Sequence, residues 1–271
     1  MQNDDIGMKI WRVVYPPLIY IIVNIIVQAV MIVIITANYN PGAVITDGQT
    51  VVNNLTESVN KYSNLVGLIS ALITIPIIYR FSKMEFLKDM RKKMTKSYLY
   101  LIPFAFLANT GLSRMISLLP SIDIFGNYTK VEQNLFSGSI AIQALSLIVI
   151  IPLMEEMIFR GLVYKRIKEY TGSIYTGAIV SSLMFGLYHF NLAQGIYGFL
   201  LGLIFIFVYE KYKNILAPIV MHMLCNLFAV ILSYSGISAF FSESIFAYII
   251  LMVLELAGIF GFIILINRRK I

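Results

Sequence analysis

Long apolar stretches with few charges recur along the chain, and they constrain its fold more than any other feature of the sequence. A helix needs about 20 apolar residues to cross the hydrocarbon core of a bilayer. Hydrophobic residues occupy 59% of the 271 positions and charged residues only 13%, whereas about a quarter of the residues in a soluble domain are charged. We count eight candidate spans: Trp11–Ala37, Ser63–Phe81, Ser97–Leu119, Ser137–Met154, Ser173–Phe190, Gly195–Val208, Ile215–Ser233 and Ile245–Ile266. The sequence therefore predicts an all-α polytopic membrane protein of about eight transmembrane helices, forming a single integral domain over residues 1–271.

The basic residues are distributed unevenly between the two ends of the predicted spans. With the N-terminus in the cytoplasm, all 21 Lys and Arg residues except Lys61, Arg114 and Lys130 lie at cytoplasmic ends. Basic residues resist translocation, so this bias predicts that both termini are cytoplasmic and that the number of spans is even. The net charge is +7, but the basic residues punctuate apolar spans and do not form one face. We therefore expect a lipid bilayer as a partner, and no nucleic acid.

A cluster of ionisable residues lies at the predicted end of the fourth span. Ionisable side chains cost several kcal/mol at membrane depth, so their presence needs an explanation. Glu156 and Arg160 are four positions apart and share a helix face, with Glu before Arg, the better order for an ion pair. Glu155 lies about 100° away around the helix and has no cation nearby in the sequence. We expect Arg160 to hold Glu156 ionised as a structural partner, while the surroundings of Glu155 determine its chemistry. Taken alone, the cluster fits the cytoplasmic end of an ordinary span equally well.

Both histidines of the chain lie in predicted spans, and each belongs to a pair of residues spaced four positions apart. Phe185 and His189 share a face of the fifth span, and His222 and Asn226 share a face of the seventh. A single histidine in a span is more often an interhelical hydrogen bonder than a catalyst. Their joint occurrence in the same C-terminal half as the glutamate pair favours a catalytic site.

These three segments resemble the CAAX-protease and bacteriocin-processing family of intramembrane endopeptidases. The family pattern is EExxxR, then FxxxH, then HxxxN. In this chain the pattern reads Glu155-Glu156…Arg160, Phe185…His189 and His222…Asn226, within a family-like core at residues 137–228. All three motifs occur in the expected order and on separate spans.

The resemblance implies a role for each motif. Glu155, with His189, activates a water molecule that attacks a peptide carbonyl. His222 and Asn226 stabilise the oxyanion. The ion pair of Glu156 and Arg160 supports the site, and Phe185 shapes it. The residue types fit this chemistry, because a poorly hydrated carboxylate is a better base and an imidazole and a carboxamide can donate to an oxyanion.

A metal ion is a further alternative for the same residues. Two histidines and a glutamate form a thermolysin-like ligand set if they converge, and members of the family are commonly called metalloproteases. Glu155, His189 and His222 could then hold a divalent metal such as zinc. Direct activation of water by Glu and His needs no cofactor, and we favour it.

The predicted depths of these residues conflict. In straight helices that rise about 1.5 Å per residue, Glu155 lies near the cytoplasmic face and His189 lies past the middle of the membrane. Convergence requires either a fifth span that begins below the membrane surface or a fourth span whose glutamates lie deeper. We expect a site of intermediate depth that opens toward the cytoplasm.

Polar residues in other spans are expected to have structural roles. Glu255 in the last span has no partner nearby in the sequence, and we interpret it as an interhelical or lipid-edge group. Asn24 and Gln28, four positions apart in the first span, predict hydrogen bonding between helices.

Three classes of function are compatible with the sequence. The leading hypothesis is an intramembrane endopeptidase, like the CAAX prenyl proteases, that cleaves a peptide precursor or a membrane-associated protein tail reached from the membrane or the cytoplasmic side. The low charge and the lack of accessory domains favour a multi-pass protein of a bacterial plasma membrane. The alternatives are a non-catalytic bacteriocin-immunity or binding protein of the same fold, and a proton-coupled transporter with a Glu–His relay. The absence of paired inverted halves speaks against a transporter.

Overall fold

Every element of regular structure is helical in the residues that the computed structural model describes, which are 5–38, 48–89, 94–118, 138–235 and 244–269. The predicted span limits Leu119 and Ser137, and the basic residues Lys130 and Lys270, lie outside these ranges. The helices are α1 (Ile6–Ala37), α2 (Gly48–Lys61), α3 (Ser63–Asp89), α4 (Leu101–Ser117), α5 (Ile140–Thr171), α6 (Ile174–Leu187), α7 (Leu192–Tyr212), α8 (Leu216–Ser235) and α9 (Ile245–Arg268). A 3-10 turn over Lys96–Tyr100 leads into α4.

Seven of the described helices are long and apolar enough to cross a membrane, namely α1, α3, α4 with its preceding turn, α5, α7, α8 and α9. The fifth predicted span, Ser173–Phe190, corresponds to α6, which has only 14 residues. At about 1.5 Å per residue, α6 is roughly 21 Å long and falls short of the hydrocarbon thickness of about 30 Å. The protein is an all-α, multi-pass integral membrane protein. The cytoplasmic location of its termini stays a prediction.

The helix that carries the two glutamates is much longer than the sequence indicated. The fourth span was predicted to end at Met154, but α5 continues to Thr171. The predicted end was wrong because the charged residues that follow Met154 have partners inside the protein and do not mark a membrane surface. The helix widens into π-helical turns over Ala144–Ile150 and Phe159–Tyr164, on either side of the glutamates. Such turns occur frequently at functional sites.

A tight turn between α5 and α6 allows the glutamates and His189 to lie at a similar level. Gly172 ends α5 in the left-handed region, at a φ of 66°, which costs little without a Cβ. Ser173 then caps α6 by accepting a hydrogen bond from the Thr176 backbone N–H at 3.1 Å. Glu156 and His189 are nearly equidistant along the chain from this turn, so the returning helix brings them to a similar depth. This arrangement favours a deeper position of the glutamates in α5, and their depth in the membrane stays a prediction.

Two clusters of buried apolar side chains meet at the level of the glutamates. One cluster includes Met154, Phe159 and Phe185 and joins α5 and α6 to α1 and α3. The other includes Phe205 and Met221 and joins α7 and α8 to α4 and α9. In a bilayer, helices associate through van der Waals packing and hydrogen bonds, because lipid tails are as apolar as the side chains. The polar residues of the three motifs lie along the border between these clusters.

Candidate active site

Helix α5 places its two consecutive glutamates near its centre. Consecutive side chains on a helix point about 100° apart, so the two carboxylates have different neighbours. Glu156 is fully buried, and its Oε1 accepts a hydrogen bond from Arg160 Nη1 at 2.8 Å. Glu155 is also buried, with 5% of its surface exposed. The ion pair predicted from the spacing is present, and it gives the two glutamates different surroundings.

His222 of α8 contacts both carboxylates. Its Nδ1 lies 2.9 Å from Oε1 of Glu156, and its Nε2 lies 3.6 Å from Oε2 of Glu155. The ring of Phe205 stacks on the imidazole at a centroid distance of 4.8 Å and an interplanar angle of 29°. Because Oε1 of Glu156 also accepts a hydrogen bond from Arg160, we infer that Nδ1 of His222 carries a hydrogen and donates it to Oε1. The other ring nitrogen therefore faces Glu155.

The guanidinium of Arg160 is enclosed between two aromatic rings. Its Cζ lies 4.5 Å from the ring centroid of Phe185 and 5.0 Å from that of Phe205, within the range of cation–π attraction. Its Nη2 donates to the backbone carbonyl of Gly202 at 3.3 Å. A Cβ on Gly202 would lie 2.9 Å from both Cβ and Oγ of Ser182, so glycine allows α6 and α7 to approach here. These contacts compensate the charge of an arginine that has no exposed surface.

His189 lies on the turn that follows α6. Its ring contacts Phe185 at a centroid distance of 5.2 Å and Tyr188 at 5.4 Å. Gly198 of α7 provides the space for the ring, because a Cβ there would lie 3.1 Å from Cδ2 of His189. Among the described residues, no hydrogen bond or ion pair joins His189 to Glu155. The predicted partnership of these two side chains is therefore not a direct contact in this structure.

Asn226 lies one turn after His222 on α8 and is half-buried. Its Nδ2 donates a hydrogen bond at 2.7 Å to the backbone carbonyl of Leu147, in the first π-helical turn of α5. The π-helical turn thus orients the amide of a residue whose predicted role is to donate to an oxyanion. The other N–H of the same amide has a defined direction as a result.

Accessibility differs between the two sides of this cluster. On the side predicted to be cytoplasmic, all residues of Phe159–Tyr164 are buried, and so are Val208 and Tyr209 of α7. On the opposite side, His189 and Asn226 are partly exposed. Within the described residues the cluster is thus more accessible away from the predicted cytoplasmic ends, contrary to the expected cytoplasmic opening.

The sequence did not identify Phe205, Gly202 or the carbonyl of Leu147 as parts of the site. The glycines spaced along α7 do carry a signal, since small residues in a span permit close helix packing. Nothing in the sequence around Phe205 distinguishes it from other aromatic residues of the spans. The π-helical turn at Leu147 depends on long-range contacts of α5.

The donor atoms do not fit the three-ligand metal site that the sequence allowed. The 3.6 Å between His222 Nε2 and Glu155 Oε2 is a separation that two ligands of one zinc ion can have. However, no group of three or more His, Cys, Asp or Glu side chains in the described residues is arranged to hold a metal ion. These residues therefore do not form the Glu155–His189–His222 ligand set.

Comparison with known proteins identifies two similarities. Residues 137–228 match the family model described as type II CAAX prenyl endopeptidase, Rce1-like. The chain is also 26% identical over 204 residues to the Bacillus subtilis (strain 168) protein named "Putative membrane peptidase YdiL", across 72% of this chain and 81% of that protein. No solved structure matches the chain.

The family match covers the whole candidate site, from α5 to His222 and Asn226 on α8. Both similarities confirm the resemblance inferred from the three motifs. They support a membrane peptidase of the CAAX-protease type, which acts on a protein or peptide in a lipid bilayer.

Proposed function

We propose that this protein is a glutamate-dependent intramembrane endopeptidase that cleaves a peptide precursor or a membrane-associated protein tail. The observation that carries the proposal is the contact of His222 with both Glu155 and Glu156 among membrane-spanning helices. Burying such a cluster in a bilayer costs free energy, so its presence indicates a functional role. The similarity to CAAX-type endopeptidases supports a peptide bond as the target.

Glu155 is the proposed general base. It accepts a proton from a water molecule, whose oxygen attacks the scissile carbonyl, and it gives this proton to the leaving amine when the C–N bond breaks. His189 is the proposed second partner of this water. Since His189 and Glu155 share no direct contact in the described residues, the water molecule would bridge the two side chains.

His222 and Asn226 are the proposed donors to the oxyanion. Asn226 uses one N–H for the carbonyl of Leu147 and offers the other to the substrate. His222 donates through Nε2 when this nitrogen carries a proton, and Glu156 behind Nδ1 is then its counter-ion. Both donors project from one face of α8, one turn apart.

The balance of charge supports this assignment. One proton shared between Glu155 and Nε2 of His222 leaves these two residues, Glu156 and Arg160 with no net charge. A neutral cluster reduces the cost of desolvating its charges in the membrane. With the proton on His222, Glu155 is a base and the imidazolium is a donor. When Glu155 then takes a proton from water, the oxyanion acquires the negative charge, so the total stays constant.

A substrate that approaches within the membrane agrees best with the accessibility of the site. His189 and Asn226 are its partly exposed members, whereas the residues between the site and the predicted cytoplasmic ends are buried. We propose a hydrophobic peptide segment that enters from the lipid. A bacterial plasma membrane and the processing of a bacteriocin-like precursor fit this substrate.

Cleavage by reconstituted protein tests the proposal. The wild type, Glu155→Gln, His189→Ala and His222→Ala would be placed in lipid vesicles with candidate precursor peptides, and the products identified by mass spectrometry. We expect each variant to lose at least about a hundredfold in rate. Equal cleavage by all four proteins would contradict the catalytic assignment.

Glu255→Gln is the matched control for Glu155→Gln. It makes the same substitution at a buried glutamate of α9 that belongs to none of the three motifs, so we expect cleavage to persist. If cells that carry the Glu155→Gln variant are still protected against a bacteriocin, the alternative of a non-catalytic immunity protein is favoured instead.

A chelator distinguishes the glutamate-dependent mechanism from a metal-dependent one. We expect cleavage to continue at an unchanged rate after dialysis against a strong zinc chelator. Loss of activity that zinc then restores would contradict the glutamate-dependent assignment.

A further inference from the structure

Three polar contacts join α5 to α8. The first is the contact of His222 with the two glutamates, and the second is the hydrogen bond from Asn226 to the Leu147 carbonyl at 2.7 Å. In the third, the hydroxyl of Tyr234 donates to Oε1 of Gln143, also at 2.7 Å. This third contact belongs to none of the three motifs, and Tyr234 lies after the segment that matches the family model.

Gln143 is held by hydrogen bonds from several directions. It has no exposed surface. Its Oε1 accepts from Tyr234, and its Nε2 donates to the Gly138 carbonyl at 3.3 Å. Its backbone carbonyl accepts from Ser146 Oγ at 3.2 Å. Burying an amide costs free energy unless it is hydrogen-bonded, so these contacts stabilise one orientation of the side chain.

Gln143 also lies at the start of the first π-helical turn of α5. The α-helical beginning of α5 ends at Gln143, and the π-helical turn starts at the next residue. The same turn contains Leu147, whose carbonyl accepts the hydrogen bond of Asn226. Because π-helical turns are rare, contacts with other helices are needed to stabilise this one. Tyr234 binds the residue before the turn, and His222 binds the glutamates that follow it.

We propose that Tyr234 is a positioning residue that holds the π-helical turn through Gln143 and thereby directs the amide of Asn226 toward the oxyanion. The inference rests on the proposed peptidase function, in which Asn226 is an oxyanion donor. Tyr234 lies eight positions after Asn226, about 12 Å along the helix, so it acts on the amide indirectly. If the turn relaxed to a regular α-helix, the Leu147 carbonyl would bond to the N–H four residues later and would shift relative to Asn226.

A double-mutant cycle tests this role on the reconstituted protein. For Tyr234→Phe we expect kcat to fall about fivefold and KM to stay within about twofold, because the oxyanion donor acts on the chemical step. Asn226→Ala should reduce kcat at least about a hundredfold. Adding Tyr234→Phe to Asn226→Ala should cause no further loss, since both changes act through one amide. A general loosening of the helices would lower the rate in both backgrounds by the same factor.

Tyr212→Phe is the control for Tyr234→Phe. It removes another phenol hydroxyl from the spans, one that donates to the Ser97 carbonyl at 2.8 Å, and we expect it to keep the wild-type kcat. Backbone hydrogen exchange gives a readout that does not depend on cleavage. The amides of residues 144–150 should exchange faster in Tyr234→Phe than in the wild type, and they should exchange at the wild-type rate in Tyr212→Phe.

The outcomes separate this inference from the proposed function. Wild-type kcat in Tyr234→Phe, in an assay in which Glu155→Gln is inactive, overturns the inference alone. A loss that multiplies with that of Asn226→Ala, or unchanged hydrogen exchange over residues 144–150, does the same. Equal cleavage by the wild type and Glu155→Gln overturns the function itself. If Tyr234→Phe does not fold, Gln143→Met removes the same bond from α5 and is measured in the same cycle.

Discussion

Among the residues that the structure describes, we compare two arginine–glutamate pairs in the membrane-spanning helices, whose surroundings differ. Arg160 and Glu156 are one turn apart on α5, neither side chain has exposed surface, and the carboxylate also binds His222. Arg114 of α4 and Glu255 of α9 join two helices at an N–O distance of 3.0 Å, with 14% and 11% of their side chains exposed. One pair is local and enclosed, and the other connects distant parts of the chain.

The comparison distinguishes two uses of a buried charge. The Arg160–Glu156 pair fixes the imidazole of His222, whose other nitrogen faces Glu155, so it supports groups that can exchange a proton. The ring of Tyr248 lies 5.0 Å from Cζ of Arg114, which suits attachment of α9 to α4. We therefore expect damage to the first pair to reduce both stability and cleavage, and damage to the second to reduce stability alone.

Arg160→Met should have the largest effect. It leaves the fully buried carboxylate of Glu156 without its cation, a change that costs about 3–5 kcal/mol in buried ion pairs. It also releases His222, so we expect cleavage to be lost. Thermal unfolding in detergent micelles and peptide cleavage would measure the two effects. The double variant Arg160→Met/Glu156→Gln should recover part of the stability, and a single variant as stable as the wild type would contradict the role of the pair.

Arg114→Met should have a smaller effect on stability and none on cleavage per folded molecule. Hydrogen bonds to charged groups contribute about 1.5–3 kcal/mol, and the partial exposure of Glu255 allows water to compensate some of this loss. The same unfolding and cleavage measurements apply. A loss of cleavage equal to that of Arg160→Met would show that the second pair also supports the active site.

The two pairs also show how far the sequence predicts this structure. The spacing of Glu156 and Arg160 predicted their ion pair, because neighbours on one helix face follow from helix geometry. Arg114 and Glu255 are 141 positions apart, so their contact depends on the packing of α4 against α9. Glu255 was interpreted as an interhelical or lipid-edge group, and its contact with Arg114 fits the first alternative. Asn24 bonds to α3 through Ser70, as predicted.

The candidate site shows the same division, because its local spacing was predictable from the sequence and its long-range contacts were not. The three motifs identified the residues and the helix face of each, since helical spacing determines both. The motifs did not show that His222 contacts the two carboxylates while His189 contacts aromatic rings, because the angles and depths at which helices cross decide this. The length of α5 was misjudged because hydropathy marks charged residues as a membrane boundary even when they are paired inside the protein.

Gly202→Ala and Gly111→Ala compare the helix contacts beside the two pairs. At Gly202 the new Cβ would lie 2.9 Å from Ser182 Cβ and 3.1 Å from its Cα, whereas at Gly111 it would lie 3.0 Å from Glu255 Cβ and 3.5 Å from the nearest backbone atom. Overpacking costs about 1–3 kcal/mol, and we expect the larger loss at Gly202. Unfolding temperatures of both variants test this order, and Ser182→Gly should partly restore Gly202→Ala. An equal loss at both sites would show that the crowding at Ser182 does not matter.

Tyr248→Phe should have the smallest effect, and it separates the two contributions of this ring to the second pair. The ring lies 5.0 Å from Cζ of Arg114, and its hydroxyl is hydrogen-bonded to Ser117. Phenylalanine keeps the ring over the guanidinium and removes only the hydroxyl, so we expect a loss below about 1 kcal/mol. Tyr248→Leu removes the cation–π contact as well and should be the less stable of the two. If both variants unfold at the same temperature, the ring does not stabilise Arg114, and the attachment of α9 to α4 depends on the carboxylate of Glu255.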